Sequence, residues 1–195
     1  MLHACVTVPL AIYVTYQASF IDLFSYQSPA LTLLLSISSG YFIWDLYVCY
    51  KRPEIVGTAM IFHAIMGITA NLYVALPHGR PAFQPVVSMM LLTEISTIPL
   101  NLKGFIQVYN PQSKYYDSVL LVFAISFLLV RCIIGVPFLL YSLYALSYRI
   151  NDFPIDKSIV YIIEAILAIV LNSYWGLFLG KKMYIKLSKP KQHST

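Results

Sequence analysis

Long apolar stretches recur along the chain, and this recurrence constrains the fold more than any other feature. Only 11% of the residues are charged and 59% are hydrophobic, whereas a soluble domain carries about 25% charged residues. Six spans have roughly the ~20 residues that an α-helix needs to cross a bilayer: 2–21, 31–50, 55–76, 83–108, 118–146 and 158–184. The sequence therefore predicts an all-α polytopic membrane protein with about six transmembrane helices.

The breaks between the spans carry turn chemistry. They are Ser28-Pro29, Arg52-Pro53, the segment 77–81, Asn110-Pro111 and the segment 151–154. Because all these loops are short, we expect consecutive helices to be antiparallel neighbours. We assign residues 1–187 to one transmembrane domain and residues 188–195 to a short basic cytoplasmic tail.

The distribution of basic residues predicts the orientation in the membrane. With six spans, one side collects nine of them: Lys51, Arg52, Lys103, Lys114, Lys181, Lys182, Lys186, Lys189 and Lys191. The other side collects three: Arg80, Arg149 and Lys157. This asymmetry predicts that both termini lie in the cytoplasm.

Several functional classes are excluded by composition. The basic residues are too scattered for a nucleic-acid-binding stripe, although the net charge is +5. The sequence has no phosphate-binding loop and no nucleophile elbow. The cysteines and histidines lie too far apart for a metal site: Cys5, Cys49, Cys132, His3, His63, His78 and His193. We therefore predict no metal and no resident cofactor.

Two prolines interrupt the longest spans. Pro99 lies in the fourth span and Pro137 in the fifth. Proline removes a backbone hydrogen bond and kinks a helix. At membrane depth, a broken helix is tolerated where it faces protein or a cavity rather than lipid. The two spans are thus predicted to bend towards the interior.

Polar groups within the spans are the candidate site residues. An ionisable side chain in mid-membrane costs about 3 kcal/mol on insertion scales, so such groups face the interior and pair. Arg131 needs an acid, which Glu94, Asp45 or Glu164 would supply; the alternative is an anionic lipid head group or phosphate. The candidates are Asp45, His63, Asn71, Glu94, Ser96, Asn101, Arg131, Glu164, Asn172 and Trp175.

Glu94 and Asn101 are seven residues apart, which places them on one face of an unbroken helix. They would form the polar wall of a cavity, with Glu94 acting as an acid, a base or a lipid contact. Alternatively, Glu94 is a buried acid that pairs with Arg131 for architecture. The sequence leaves both interpretations open.

His63 is a candidate general base, or a structural histidine on an apolar face. Asn71 lies within a quarter-turn of the same helix face and is a candidate hydrogen-bond partner. Asp45 either belongs to the cavity or pairs with Lys51 or Arg52 near the interface.

Helical spacing also relates three residues of the sixth span. Glu164 and Trp175 are eleven residues apart and share a face. Asn172 either belongs to the same cavity wall or forms a helix–helix hydrogen bond.

Five motifs occur in an order that resembles the TLC domain, shared by TRAM, the Lag1-type ceramide synthases and CLN8. They are GYFIWDL (40–46), FHAIMGIT (62–69), TEISTIPLNLKGF (93–105), FLLVRCIIGVPF (127–138) and LNSYWGLFLGKKM (171–183). The resemblance implies a helical bundle around a central lipid-accessible cavity. It also implies a further membrane helix upstream, because family members usually carry one.

The chain departs from the ceramide synthases at two places. They carry adjacent histidines where this chain reads Phe62-His63-Ala64, and paired aspartates where it reads LLTEIST with Glu94 alone. Both missing groups are ones that acyl-CoA chemistry is expected to use. The chain is therefore more similar to the smaller, TLCD4-like proteins linked to membrane lipid composition.

Three functions follow as hypotheses. The first is membrane lipid homeostasis, with membrane lipids or acyl chains bound in the cavity. The second is an acyl-CoA-dependent lipid acyltransferase with His63 as base, Glu94 as acid or orienting group, and acyl-CoA as co-substrate. The third is a cargo receptor or translocation-associated scaffold of the endoplasmic reticulum.

The C-terminal sequence KQHST bears on localisation. Lys191 and His193 stand where a dibasic retrieval signal places its basic residues, with histidine in place of lysine. A cytoplasmic tail of this kind predicts recognition by the COPI retrieval machinery. Together with the family resemblance, it predicts an endoplasmic reticulum membrane protein.

Overall fold

The fold is helical throughout the residues that the computed structural model describes, which are 2–19, 22–52, 58–74 and 82–188. Within these described residues, the helices follow one another in six continuous segments. In chain order these are α1 (Leu2–Ser19); α2 (Pro29–Lys51); α3 (Thr58–Ile68) with a π-helical end (Thr69–Val74); α4 (Gln84–Leu91), a 3₁₀ stretch (Leu92–Ser96) and α5 (Thr97–Tyr109); α6 (Tyr116–Phe127), a π stretch (Leu128–Gly135) and α7 (Val136–Ser147); and, after a 3₁₀ turn (Ile150–Asp152), α8 (Ile155–Ser188).

Four of these segments are long and apolar enough to cross a membrane: Pro29–Lys51, Gln84–Tyr109, Tyr116–Ser147 and Ile155–Ile185. A shorter apolar helix covers Met60–Tyr73. The prediction of an all-helical protein with several membrane-spanning helices is thus confirmed. The count of six crossings stays a prediction.

The start of α2 shows how the predicted turn chemistry works. Ser28 is the N-cap, and its hydroxyl accepts a hydrogen bond from the Leu31 N–H at 3.1 Å. Pro29 occupies the first turn, where the missing N–H costs nothing. The predicted turns at Pro53 and at 77–81 lie outside the described residues.

Each interrupting proline follows an irregular stretch that ends two or three residues before it. In a regular α-helix, a proline ring clashes with the carbonyl four residues earlier. For Pro99 that residue is Ile95, in the 3₁₀ stretch, and for Pro137 it is Ile133, in the π stretch. The irregular geometry is therefore the local response to proline within long continuous helices.

An aromatic cluster closes one end of the bundle. Phe83 is fully buried, and its ring stacks on Tyr161 with centroids 4.6 Å apart. The backbone of Phe83 is left-handed, with φ of 65°, which is uncommon for a side-chain-bearing residue. A hydrogen bond of 2.8 Å from its N–H to the Phe24 carbonyl helps to hold it in place.

An ion pair lies beside this cluster, outside the membrane-spanning segments. Arg149 contacts the Asp22 carboxylate at 3.1 Å and stacks over the rings of Phe24 and Phe153. Partial burial raises the pKa of Asp22, but hydrogen bonds from Arg149 and from the Phe24 N–H outweigh this and lower it overall. The pair therefore joins the α1–α2 loop to the α7–α8 loop.

Candidate functional site

A cavity of about 120 Å³ lies between α2, α3, α4 with its 3₁₀ stretch, the π stretch and α7, and α8. Most of its wall is apolar. The α8 wall repeats at helical spacing, which identifies the inward face of this helix. Its lining residues are Tyr161, Glu164, Ala165, Ala168, Leu171, Asn172 and Trp175.

A buried ion pair contributes two of the cavity's charged side chains. Arg131 Nη2 lies 3.3 Å from Glu94 Oε1, and these side chains are only 8% and 4% exposed. Arg131 Nε also donates to the Ser96 hydroxyl at 3.1 Å. The 3₁₀ stretch thus supplies both partners, two residues apart, to one guanidinium group.

The Arg131 guanidinium has capacity left for a ligand. Its carbon lies 5.3 Å from the Phe127 ring centroid, so one face is covered by an aromatic ring. Two of its five N–H groups are used by Ser96 and Glu94. Within the described part of the chain, the others make no hydrogen bond, and the side chain lines the cavity.

His63 faces the same end of the cavity. Its ring lies 5.7 Å from that of Phe42 and 6.2 Å from that of Trp175, measured between centroids. The charges of Arg131 and Glu94 both act on the ring. No hydrogen bond to it occurs among the described residues, so Glu94 orients Arg131 rather than His63.

Asn71 lines the cavity further along α3, in its π-helical end. It is 4% exposed, and its Nδ2 donates to the Gly67 carbonyl at 2.7 Å. Its Oδ1 is buried and has no hydrogen-bond partner among the residues that the structure describes. Because the Gly67 carbonyl can only accept a hydrogen bond, the Asn71 amide must direct its NH₂ group towards it, which leaves Oδ1 as the free end.

Seven predicted candidates line this one cavity: His63, Asn71, Glu94, Arg131, Glu164, Asn172 and Trp175. Three others do not. Ser96 lies behind the wall and contacts Arg131. Asp45 is half-buried on α2, and Asn101 donates to the Thr97 carbonyl of its own helix at 2.8 Å.

The expectation that Asn101 shares the Glu94 face depends on a regular helix between them. It assumed an α-helix between the two residues, with about 100° per residue. The 3₁₀ stretch Leu92–Ser96 turns about 120° per residue, and Asn101 is not among the residues that line the cavity. The helix between the two residues is thus not regular, and a polar wall shared by Glu94 and Asn101 stays a prediction.

Two hydroxyl-bearing lining residues were not identified from sequence. Tyr161 lines the cavity on α8, and its hydroxyl is hydrogen-bonded to Ser142 at 2.5 Å. It lies three residues before Glu164, so helical spacing places both residues on one face, and this spacing was the signal that could have identified it. Thr93 also lines the wall, and its hydroxyl donates to the Met90 carbonyl.

The fold and cavity define the class: a helical membrane protein whose buried polar groups meet in an apolar cavity. No group of three or more metal-ligating side chains occurs among the described residues. The sequence-family model of the TLC domain, which is named for TRAM, LAG1 and CLN8, matches residues 1–181 of the chain. The chain belongs to this family.

Curated relatives agree with this assignment. The chain is 55% identical over 185 residues to TLC domain-containing protein 4 C of Dictyostelium discoideum, covering 94% of this chain and 68% of the relative. It is 36% identical over 90 residues to topoisomerase I damage affected protein 4 of Saccharomyces cerevisiae, covering 46% and 31%. An uncharacterized TLC domain-containing protein of Schizosaccharomyces pombe is 27% identical over 147 residues, covering 73% and 48%. No solved structure matches the chain.

Proposed function

We propose that the protein binds a lipid or acyl chain in this cavity and acts in membrane lipid homeostasis. The observation that carries the proposal is an apolar cavity that has a buried Arg131–Glu94 pair at one end. Buried ionisable groups in membrane helices are costly and usually mark functional sites. An apolar wall with a few convergent polar groups is typical of a ligand site.

The ion pair favours a neutral polar group on the ligand. Glu94 already balances the Arg131 charge, so a phosphate would bring an uncompensated negative charge into a low-dielectric site. An ester or amide carbonyl instead accepts a hydrogen bond from the unused guanidinium N–H groups. The ligand group at this end is thus a lipid carbonyl rather than the anionic head group considered from sequence.

The cavity volume limits how much of a lipid is enclosed. At about 120 Å³, it resembles the engineered cavity of about 150 Å³ that binds benzene. It therefore encloses only part of one acyl chain with its polar groups, and the remainder of the lipid extends into the bilayer.

A cavity-filling substitution tests lipid binding. Ala168 lines the cavity on α8, and we expect Ala168→Phe to fill it and displace the ligand. Val170 lies two residues away and is 60% exposed on the outer surface, so Val170→Phe adds a phenyl group outside the cavity. Mass spectrometry of lipids that co-purify in detergent should show one lipid class lost only in Ala168→Phe. Equal lipid content in both variants would contradict the proposal.

An acyltransferase is the second candidate, and one observation favours it. His63 lines the same cavity as Arg131, and its ring has no hydrogen bond within the described residues. It is thus placed to take a proton from an amine or hydroxyl that attacks an acyl-CoA thioester, with the CoA thiol leaving. Glu94 serves less well as its orienting acid because it is bound to Arg131.

Incubation of purified protein with acyl-CoA and mixed lipids decides between the candidates. An acylated lipid that forms in wild type and disappears in His63→Ala supports catalysis. Bound lipid without turnover supports the homeostasis function. Product formation unchanged in His63→Ala excludes His63 as the base.

We further propose an endoplasmic reticulum location with both termini in the cytoplasm. The asymmetry of nine basic residues against three supports this orientation. Two contacts also bring the ends of alternate helices together at one end of the bundle. They join Arg149 to Asp22 and Tyr73 to Asp156. Retrieval by COPI through Lys191 and His193 is tested by replacing both with serine and imaging the protein.

A further inference from the structure

The two ends of the cavity differ in hydrogen-bonding character. One end holds His63 and Trp175, whose rings are in contact, together with the donor groups of Arg131. Asn71 lies eight residues beyond His63 on α3, which is about 12 Å along a helix axis. The ligand therefore meets different polar groups at the two ends.

Asn71 and Glu164 belong to the second end. The Tyr73 hydroxyl donates to Asp156 at 3.0 Å and so fastens the end of α3 to the start of α8. Asn71 is two residues from Tyr73, and Glu164 lies in the first third of α8. Trp175, by contrast, is eleven residues further along α8 and contacts His63.

Both side chains offer acceptors that no described residue uses. Asn71 Oδ1 is buried and has no hydrogen-bond partner in that part of the chain. Among the described residues, no hydrogen bond reaches the Glu164 carboxyl group, which also lines the cavity. An unpaired buried acceptor costs about 1–3 kcal/mol, so a ligand that brings a donor is favoured over one that is apolar throughout.

We infer that Asn71 and Glu164 form a second subsite that accepts a hydrogen bond from a hydroxyl group on the bound chain. This inference rests on the proposed lipid-binding function and specifies its ligand. The preferred lipid carries a carbonyl at the Arg131 end and a hydroxyl roughly 12 Å away. In an extended stearoyl chain, a hydroxyl on the tenth carbon lies roughly this far from the ester carbonyl.

Displacement of tritiated methyl stearate from the protein in lipid nanodiscs tests the subsite. The competitors are methyl 10-hydroxystearate and methyl 10-methoxystearate, because the methoxy oxygen accepts but does not donate. We expect the hydroxy ester to compete about 3- to 10-fold better, as one hydrogen bond allows. The 2-hydroxy and 2-methoxy esters should not differ in this way, because their oxygen lies beside the carbonyl.

Variants separate the subsite from bilayer partitioning, which is the same for every variant. Asn71→Leu should reduce the hydroxy-to-methoxy preference, and Glu164→Leu should also reduce it. Asn101→Leu is the matched control, since Asn101 makes the same side-chain bond to its own helix but lies outside the cavity. It should keep the wild-type preference.

The outcomes distinguish this inference from the function on which it rests. If methyl stearate binds saturably but the hydroxy preference is equal in wild type and Asn71→Leu, the subsite is wrong and lipid binding stands. If no ester displaces the tracer saturably, lipid binding in the cavity fails as well. If Asn101→Leu loses the preference as Asn71→Leu does, the effect is not local to the cavity and the subsite is again wrong.

Discussion

Arg131 Nη2 lies 3.3 Å from Glu94 Oε1, and together the two side chains form a nearly fully buried ion pair. Such a pair contributes little net stability, but the loss of one partner leaves a buried charge without compensation. A substitution at Glu94 or Arg131 alone is therefore more costly than a matched substitution of both. It also brings an arginine with unused donors to the cavity wall.

Removal of either partner should destabilise the protein more than removal of both. We expect Glu94→Leu and Arg131→Met each to lower the free energy of unfolding by about 3–5 kcal/mol. The double variant should be more stable than either single variant because no unpaired charge remains. Unfolding followed by circular dichroism in one detergent checks this, and additive losses would contradict the coupling.

Gly67 is required where α3 approaches α2. A Cβ added at Gly67 would lie 2.5 Å from the Phe42 ring. We expect Gly67→Ala to destabilise the protein by about 1–3 kcal/mol through overpacking. Gly40→Ala is the matched control, because a Cβ there meets nothing within 4 Å and should stabilise α2 by about 0.5–1 kcal/mol. Equal effects of the two substitutions on the unfolding temperature would refute the close packing.

The Asp22–Arg149 pair should add pH-dependent stability. The folded-state pKa of Asp22 lies below its ordinary value because Arg149 and the Phe24 N–H bind the carboxylate. The contribution is therefore present above the unfolded-state pKa of about 3.9 and is lost as the pH falls through the folded-state pKa. The Arg149 side chain is 40% exposed, so we expect at most about 1 kcal/mol at pH 7.

Asp22→Asn measures this contribution directly. The variant should unfold at a slightly lower temperature than wild type at pH 7, and the difference should vanish in strong acid. Asp152→Asn is the control, since Asp152 also pairs with Arg149 but its side chain is 58% exposed, so its effect should be smaller. A difference that grows on acidification would reverse the assigned sign.

Sequence reasoning predicted the fold class because long apolar spans allow little else than membrane helices. It also predicted that Arg131 needs an acid, since a mid-membrane charge must pair. It left Glu94, Asp45 and Glu164 open as the partner, because that choice depends on packing between distant helices. Only the assembled bundle assigns Glu94.

Local backbone geometry limited the prediction of the site. Glu164 and Trp175 share a face as expected because α8 is continuous. The helix between Glu94 and Asn101 is not regular, because Glu94, Ile95 and Ser96 lie in the 3₁₀ stretch. Pro99 signalled an irregularity, but its kind and extent are set by the surrounding packing. Reasoning from helical spacing therefore requires a regular helix between the residues that it relates.

Photo-crosslinking with a diazirine-bearing acyl chain tests the central claim most directly. The purified protein in nanodiscs would be irradiated with the probe, and modified residues mapped by mass spectrometry. We predict saturable adducts, competed by unlabelled lipid, on cavity residues such as Met66, Met90 and Leu171. Adducts on the outward side chains of Ile166 and Val170 should not saturate, because they report bulk lipid. Adducts confined to the outer surface would contradict a lipid-occupied cavity.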